Sequence, residues 1–405
     1  MNERRVAVIG AGPIGLEAAH QLAREGFDVR LYEAGAGVGS SVRRWEHVRL
    51  FSPWKMNTSE LGLEVLRDLG LKAPEEEAFP TGEEFLSAYL EPLGRHPRLE
   101  GRIEFGVRVR SVAREGVLKG EWIGSPLRRE RPFRLLLERD DGREEVVRAE
   151  IVVDTSGTYE TPNALGDGGM EAPGERRARA EGLIEGYIPD LRGKEKESYE
   201  GKHLVVIGSG YSAITTLNQL LEALGEEDET RITWITRGGE EPYEVIDDDP
   251  LPQRKKLAGL GNELAGVNGK ESGVEHIKEV RIEAVEIEAG GKAALVVRGG
   301  EGVKRIEGVD RILANVGYRP DVELYRELQV HQCYASEGPM KLAAALLGAS
   351  GEGGGDCLAQ GSMGAESLKN PEPDFFILGS KSYGRRSDFL LKLGLEQIEE
   401  LKTLL

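Results

Sequence analysis

Residues 5–15, RVAVIGAGPIG, run four apolar residues into a glycine-rich turn, and the continuation PIGLEAAHQLARE has the apolar spacing of an amphipathic helix. Strand, tight turn and helix in this order make the first half of a βαβ unit. Gly10 permits the turn, Gly12 lets an anionic group approach the backbone, and Gly15 lets the helix lie close to the strand. The helix N-terminus then faces the anion with its partial positive charge. A second strand, DVRLYE, ends in Glu33, at the spacing where a carboxylate accepts from ribose hydroxyls. These features together read as a dinucleotide site.

The arrangement recurs at residues 203–213, HLVVIGSGYSA, followed by the helical pattern YSAITTLNQLLEALG. Here Gly208, Gly210, Ser212 and Ala213 form the turn, with alanine where a third glycine would stand. Its following strand, RITWIT, leads into Arg237 and not an acid. A guanidinium pairs with a 2′-phosphate and cannot accept from a free ribose hydroxyl, so NADPH is favoured and NADH is the alternative. Two such sites imply two dinucleotides. The economical assignment is FAD at the first turn and a nicotinamide at the second, because that pair can pass a hydride from nicotinamide C4 to flavin N5.

A chain of 405 residues exceeds what one hydrophobic core usually organises, so two domains are expected. Charged residues make up 31% and hydrophobic ones 39%, and no apolar run approaches the roughly 18 residues of a membrane span. The first strand begins at about Arg5, which leaves no room for a signal peptide, and a cytoplasmic protein is expected. The net charge of −18, from 71 acidic and 53 basic residues, argues against nucleic acid or an anionic membrane as partner. The expected partner is a small-molecule substrate or electron acceptor, and a homodimer is compatible with the sequence.

Only Cys333 and Cys357 are present, in no CxxC pair, which argues against a disulfide scaffold, a zinc site or a dithiol redox centre. The six histidines show no ligand spacing, so no metal is expected, and no GxSxG nucleophile turn occurs.

Strand-like runs alternate with helical segments, as in an α/β protein with parallel sheets. Five runs end at glycine or a glycine-containing turn: Val6 to Ile9, Ile151 to Val153, Leu204 to Ile207, Ile312 to Val316 and Phe375 to Leu378. Between the two turns IEFGVRVRSVAR, PFRLLLERDDG and EEVVRAEIVV read as strands, with a hairpin at Asp140-Asp141-Gly142. The segments Thr161 to Glu200 and Gly238 to Gly273 are rich in Gly, Pro and charge and read as loops, the first as an interdomain crossing. GASGEGGGDCLAQGSMGAES reads as a glycine-dense surface excursion.

On GAGPIG with Glu33, DTSGTYETPN, GSGYSA, NVGYRPD and the C-terminal FFILGSKSYGRRSDFLLKLGLEQI, nearly the whole chain resembles the two-dinucleotide-binding-domain flavoproteins. That group holds flavin-containing monooxygenases, Baeyer–Villiger monooxygenases and thioredoxin reductase-like enzymes. EAGAGVGSSVRRWEHVRLFSPW, YIPDLRG and GSKSYGRRSDFLL are similar to a bacterial subfamily of FAD-dependent, NAD(P)-binding oxidoreductases. The resemblance implies two Rossmann-like domains of three-layer ββα construction. The NADPH domain, residues 165–310, would be inserted into an FAD domain made of residues 1–164 and 311–405.

It further implies that Gly10, Gly12, Pro13, Ile14, Gly15 and Glu33 hold the ADP half of FAD, and that the Val109 backbone touches adenine. Thr155, Ser156 and Gly157 match the second FAD motif, and Gly379 and Ser380 the third. Where many relatives carry Gly-Asp in the third motif this chain has Gly379-Ser380-Lys381, and Lys381 is the candidate for a charge beside reduced, anionic flavin N1.

Trp45, His47, Arg49, Ser52 and Trp54 fall where related monooxygenases place residues beside the flavin ring, so Trp45 and Trp54 would wall it while Arg49 or His47 supplies a proton or hydrogen bond. The bland alternative is core tryptophans and solvent-paired bases. The acidic runs EEDE and Asp247 to Asp249 read as solvated loop faces.

Two chemistries then compete. Oxygenation of a small soft nucleophile through a flavin C4a-peroxide is favoured, because HVRLFSPW is similar to the monooxygenase branch. Transfer of electrons to a disulfide, quinone or other acceptor is the alternative. The FxGxxxHxxxW fingerprint of the first class is absent between Gly157 and Gly208, and the CxxC of the second is absent from the chain. A flavin-bearing sensor without turnover is a third reading.

Overall fold

The computed structural model describes residues 4–191, 193, 195–224, 229–247, 249–266, 273–350 and 361–405. The chain forms two compact units. The first comprises Met1–Glu46, Pro53–Thr161 and Tyr318–Leu405, and the second His47–Ser52 and Pro162–Gly317.

The first unit is built on a parallel sheet in the spatial order Phe375–Ile377, Ile151–Asp154, Arg5–Ile9, Asp28–Glu33, Ile103–Phe105. Every neighbouring pair in it is parallel. The alternation of side chains along the central strand creates two cores. Val6 and Val8 pack with Leu16, Ala18, Ala19 and Leu22 of the helix Pro13–Arg24. Ala7 and Ile9 face the other way, into a core shared with Val107, Val112, Phe133 and Leu135. Those last residues come from an antiparallel sheet of Val107–Arg114, Phe133–Arg139 and Glu144–Ala149. Burial of both faces explains why Val6 to Ile9 is a continuous apolar run, each valine or isoleucine side chain contributing roughly 1.5–3 kcal/mol.

The second unit repeats the plan. Its parallel sheet runs Val274–Ile277, Arg231–Ile235, His203–Ile207, Arg311–Ala314, Ile184–Glu185. Leu204 and Val206 pack with Leu217 and Leu220 of the helix Tyr211–Ala223. Val205 and Ile207 pack with Val285, Leu295 and Ile306 of a second antiparallel sheet, Arg281–Ile287, Ala293–Gly299 and Gly302–Val309. Both units are therefore Rossmann-like, with three ββα layers.

Three expectations change. The run IEFGVRVRSVAR is not one strand: Gly106, at φ +64°, turns the chain from the parallel sheet into the antiparallel one. The stretch Gly238 to Gly273 contains the helix Pro252–Ala265, which buries Ala258, Gly261 and Leu264 despite its glycines. The crossing back to the first unit lies at Gly317–Tyr318 and not at residue 310, because Arg311–Ala314 pairs with His203–Ile207 and so belongs to the second sheet. Residues 351–360 of the glycine-dense excursion, including Cys357, lie outside the described residues, as does most of EEDE.

Candidate functional site

In the first unit the three sequence motifs expected to hold one ligand meet at the C-terminal ends of adjacent parallel strands. The turn after Arg5–Ile9 carries Gly10 and Gly12, and Gly12 precedes Pro13 at the start of the helix, whose N-terminus has no side-chain cap. A Cβ on Gly15 would stand 1.9 Å from Gly10 O, so only glycine lets the helix sit this close to the turn. Apart from its own chain neighbours, no atom of the described residues lies within 4 Å of a Cβ built on Gly12, the open approach that a bound phosphate requires.

The second motif is tied to the first by Thr155, whose hydroxyl donates to Ile9 O at 2.7 Å and Gly10 O at 3.2 Å. The third is tied to the second by Lys381. Its Nζ lies 2.7 Å from Asp154 Oδ2 and 3.0 Å from Ser156 Oγ. Asp154 Oδ1 in turn accepts from Ser156 N and Oγ. Gly157 follows at φ +71°, and a Cβ on it would meet Ser380 Oγ at 3.8 Å. Gly379, where an added Cβ would come within 3.3 Å of Ile14, donates its amide to Gln397 Oε1 at 2.9 Å. Gln397 Nε2 also donates to Ser382 Oγ, so the helix Leu391–Lys402 holds the third motif in place.

Glu33 is buried, and both its oxygens already serve the protein: Oε2 accepts from Ala11 N and Oε1 from Gly35 N, each at 2.7 Å. Each oxygen keeps a second lone pair for a ribose hydroxyl, so Glu33 both fixes the turn and can hold the ligand. Val109 lies in Val107–Arg114 beside a bulge, where the pairing shifts between Val109 and Ser111. Such a bulge breaks the ladder and frees backbone groups for other partners.

The side chains of Lys381 and Asp154 are both fully buried, so the ammonium is paired with a carboxylate. Trp54 is 6% exposed and packed against Phe85 in the first core. Trp45 belongs to the first unit and packs against its core, close to Tyr159, whose ring meets Tyr318 at 4.9 Å. Arg49, exposed, and Ser52 fall in the second unit.

In that unit the turn after His203–Ile207 carries Gly208 and Gly210 at the start of the helix Tyr211–Ala223, again without a side-chain cap. Ser212 is exposed, and Ala213 is buried in the core at the position of a third glycine. Arg237 is exposed just beyond Arg231–Ile235, and its carbonyl accepts from Arg281 Nη1 at 3.2 Å. Arg281, 44 positions along the chain, thus reaches the Arg237 backbone, and its Nε lies 3.6 Å from Asp167 Oδ1. Of the acidic run, Asp249 is no solvated face: it pairs with Arg254 at 2.7 Å, both side chains buried, and accepts from Leu251 N.

Residues 8–70 match the family model of an NAD(P)-binding Rossmann-like domain. Among solved structures the chain is similar to a bacillithiol disulfide reductase from Bacillus cereus, at 19% identity and TM-score 0.69, covering 100% of this chain and 99% of that one. It is similar to thioredoxin reductase from T. acidophilum, at 18% identity and TM-score 0.57, covering 99% of both. It is also similar to the cadaverine monooxygenase of desferrioxamine biosynthesis from Erwinia amylovora, bound to FAD, at 13% identity and TM-score 0.63, covering 98% of this chain and 92% of that one. The chain therefore shares its fold with reductases and with a monooxygenase.

Proposed function

We propose that the chain is an FAD-dependent NAD(P)H oxidoreductase, with FAD held by the first unit and NADPH by the second. The observation that carries this reading is the joining of three motifs more than 140 positions apart, around Gly10, Thr155 and Gly379, by Thr155 and Lys381 at one sheet end. Gly10, Gly12, the helix start and Glu33 fit the ADP half of FAD, while Thr155 to Gly157, Gly379 and Ser380 fit the remainder. FAD supplies the acceptor for hydride from the nicotinamide. The protein's own residues bind and orient: the uncapped helix starts favour the diphosphates, and Arg237, with Arg281 beside it, favours the 2′-phosphate of NADPH.

With Cys333 and Cys357 in no CxxC pair, no dithiol relay of the thioredoxin reductase kind is encoded, and electrons leave the flavin directly. Our first reading is a monooxygenase-like enzyme acting on a small soft nucleophile. A reductase of a disulfide or quinone is the second reading, favoured by the end-to-end match to the bacillithiol disulfide reductase.

Anaerobic reduction with NADPH, followed by mixing with oxygen, tests all of this. Bleaching of the flavin supports the oxidoreductase reading, and its failure with both NADPH and NADH sinks it. Slow reoxidation accelerated by amines or thioethers supports oxygenation, whereas immediate reoxidation with fast turnover on disulfides or quinones supports the reductase.

A further inference from the structure

The second glycine turn is gripped from behind by two aromatic donors that its own motif does not contain. Trp234 Nε1 donates to Gly208 O at 2.8 Å, and the Tyr243 hydroxyl donates to Gly210 O at 3.1 Å. Gly210 O also accepts the amide of Ala213, so the tyrosine adds a bond to a carbonyl already engaged in starting the helix.

In a trans peptide the N–H points opposite to the C=O. Holding Gly208 O and Gly210 O toward Trp234 and Tyr243 therefore aims the Ser209 and Tyr211 amides away from them, on the side where the helix Tyr211–Ala223 begins. Those are the donors that a diphosphate at a helix N-terminus uses.

Neither aromatic group is free to swing. Trp234 is fully buried near the C-terminal end of Arg231–Ile235, with the His276 ring stacked 4.4 Å from it and Tyr243 at 6.4 Å. Tyr243 is held at its backbone by Asn262, which accepts from Tyr243 N at 3.0 Å and donates to Tyr243 O at 2.8 Å. Its ring also lies against Gly261, where a Cβ would come within 2.2 Å of Cε2. Asn262 and Gly261 both belong to the helix Pro252–Ala265, so this helix extends the clamp to the turn.

We propose that Trp234 and Tyr243 are positioning residues for the nicotinamide dinucleotide: their hydrogen bonds to Gly208 O and Gly210 O pre-orient the Ser209 and Tyr211 amides toward the diphosphate. The proposal rests on the reading that NADPH binds at this turn. Because the amides are aimed before the ligand arrives, the benefit appears as affinity for diphosphate-bearing ligands and not as rate once they are bound.

The test uses Trp234→Phe and Tyr243→Phe in the full-length, FAD-loaded protein; each removes one donor and keeps a stacked ring. Binding of NADP+ and of adenosine 2′-monophosphate is measured, together with the limiting rate of flavin reduction by NADPH. Each variant is expected to bind NADP+ on the order of tenfold more weakly. Adenosine 2′-monophosphate, which has no diphosphate, keeps its wild-type affinity, and the limiting rate stays within about twofold. Unchanged NADP+ affinity overturns the clamp, and so does an equal loss for both ligands, which would mark a general distortion of the unit. Gly261→Ala, which crowds Tyr243 without touching either donor, gives a third variant with the same expected pattern should one of the others fold poorly. If the wild type itself binds no NADP+ and NADPH does not bleach its flavin, the underlying assignment of the turn fails, an outcome distinct from a wild type that binds normally and variants that match it.

Discussion

Lys381 Nζ sits 2.7 Å from Asp154 Oδ2, with both side chains fully buried and 227 positions between them in the chain. The pair joins two loops of the candidate flavin site, and the low dielectric around it means that neither charge is cheaply left alone. Lys381→Met is therefore expected to destabilise the protein by about 3–5 kcal/mol. Adding Asp154→Asn should recover part of that loss, since no uncompensated carboxylate then remains. Urea unfolding of the single and double variants checks this, and a Lys381→Met protein within about 1 kcal/mol of wild type would falsify it.

A second buried ionic group ties distant segments of the first unit. Glu372 accepts from Arg114 Nε at 2.7 Å and from Arg128 Nη2 at 2.8 Å, with all three side chains buried. Burial alone would raise the Glu372 carboxyl, yet the bonds from Arg128 and Arg114 hold it below its ordinary value. Glu372→Gln leaves two guanidinium groups without their anion and should cost about 3–5 kcal/mol. Retention of wild-type thermal stability would show that the pairing is dispensable.

Glu17, on the helix behind the first turn, sets a pH dependence. Burial raises its carboxyl from 4.5 to about 7, while hydrogen bonds from Tyr89 and Ser59 work in the opposite direction. The folded state therefore holds the proton more tightly than the unfolded chain. This residue's contribution is fully present below pH 4.5 and is lost as pH rises through about 7, a change of about 3 kcal/mol. Comparing Glu17→Gln with wild type by urea unfolding at pH 5 and pH 8 isolates the effect: the stability difference between the two proteins should shift toward the variant at pH 8. Parallel pH profiles would rule it out.

Arg237→Ala is expected to raise the KM for NADPH roughly 10- to 100-fold, the range of a charge-assisted phosphate contact, and to leave NADH nearly unaffected. Steady-state flavin reduction with each nucleotide measures it. Equal effects on both would remove the phosphate contact from Arg237. The neighbouring Arg281, whose Nη1 reaches the Arg237 carbonyl, should show a smaller change of the same sign when replaced by Ala.

Much of the fold was legible because its signals are local. The strand, turn and helix at Arg5–Arg24 and the repeat at His203–Ala223 depend on apolar runs and glycines within a single βαβ unit, and both formed as read. The hairpin at Asp140-Asp141-Gly142 followed from its turn residues. The helix Pro252–Ala265 was hidden because its glycines and charges mimic a loop. Gly261 is there to admit the Tyr243 ring, a tertiary reason that helix propensity cannot display. The placement of Trp54 in the core likewise depended on Phe85, 31 positions away.

Sequence alone determined that there are two strand–turn–helix segments, where each glycine turn lies, and that an acid closes the first turn region and an arginine the second. Backbone stereochemistry and side-chain periodicity act over a few residues, so a linear string records them. Tertiary structure decided what stands behind those turns. It placed Asp154 against Lys381 and Gln397 against Gly379, and put Trp234 and Tyr243 on the carbonyls of Gly208 and Gly210. Buried donors and charges must find partners wherever the sheet register brings them, and that register is a property of the packed chain and not of any short stretch of it.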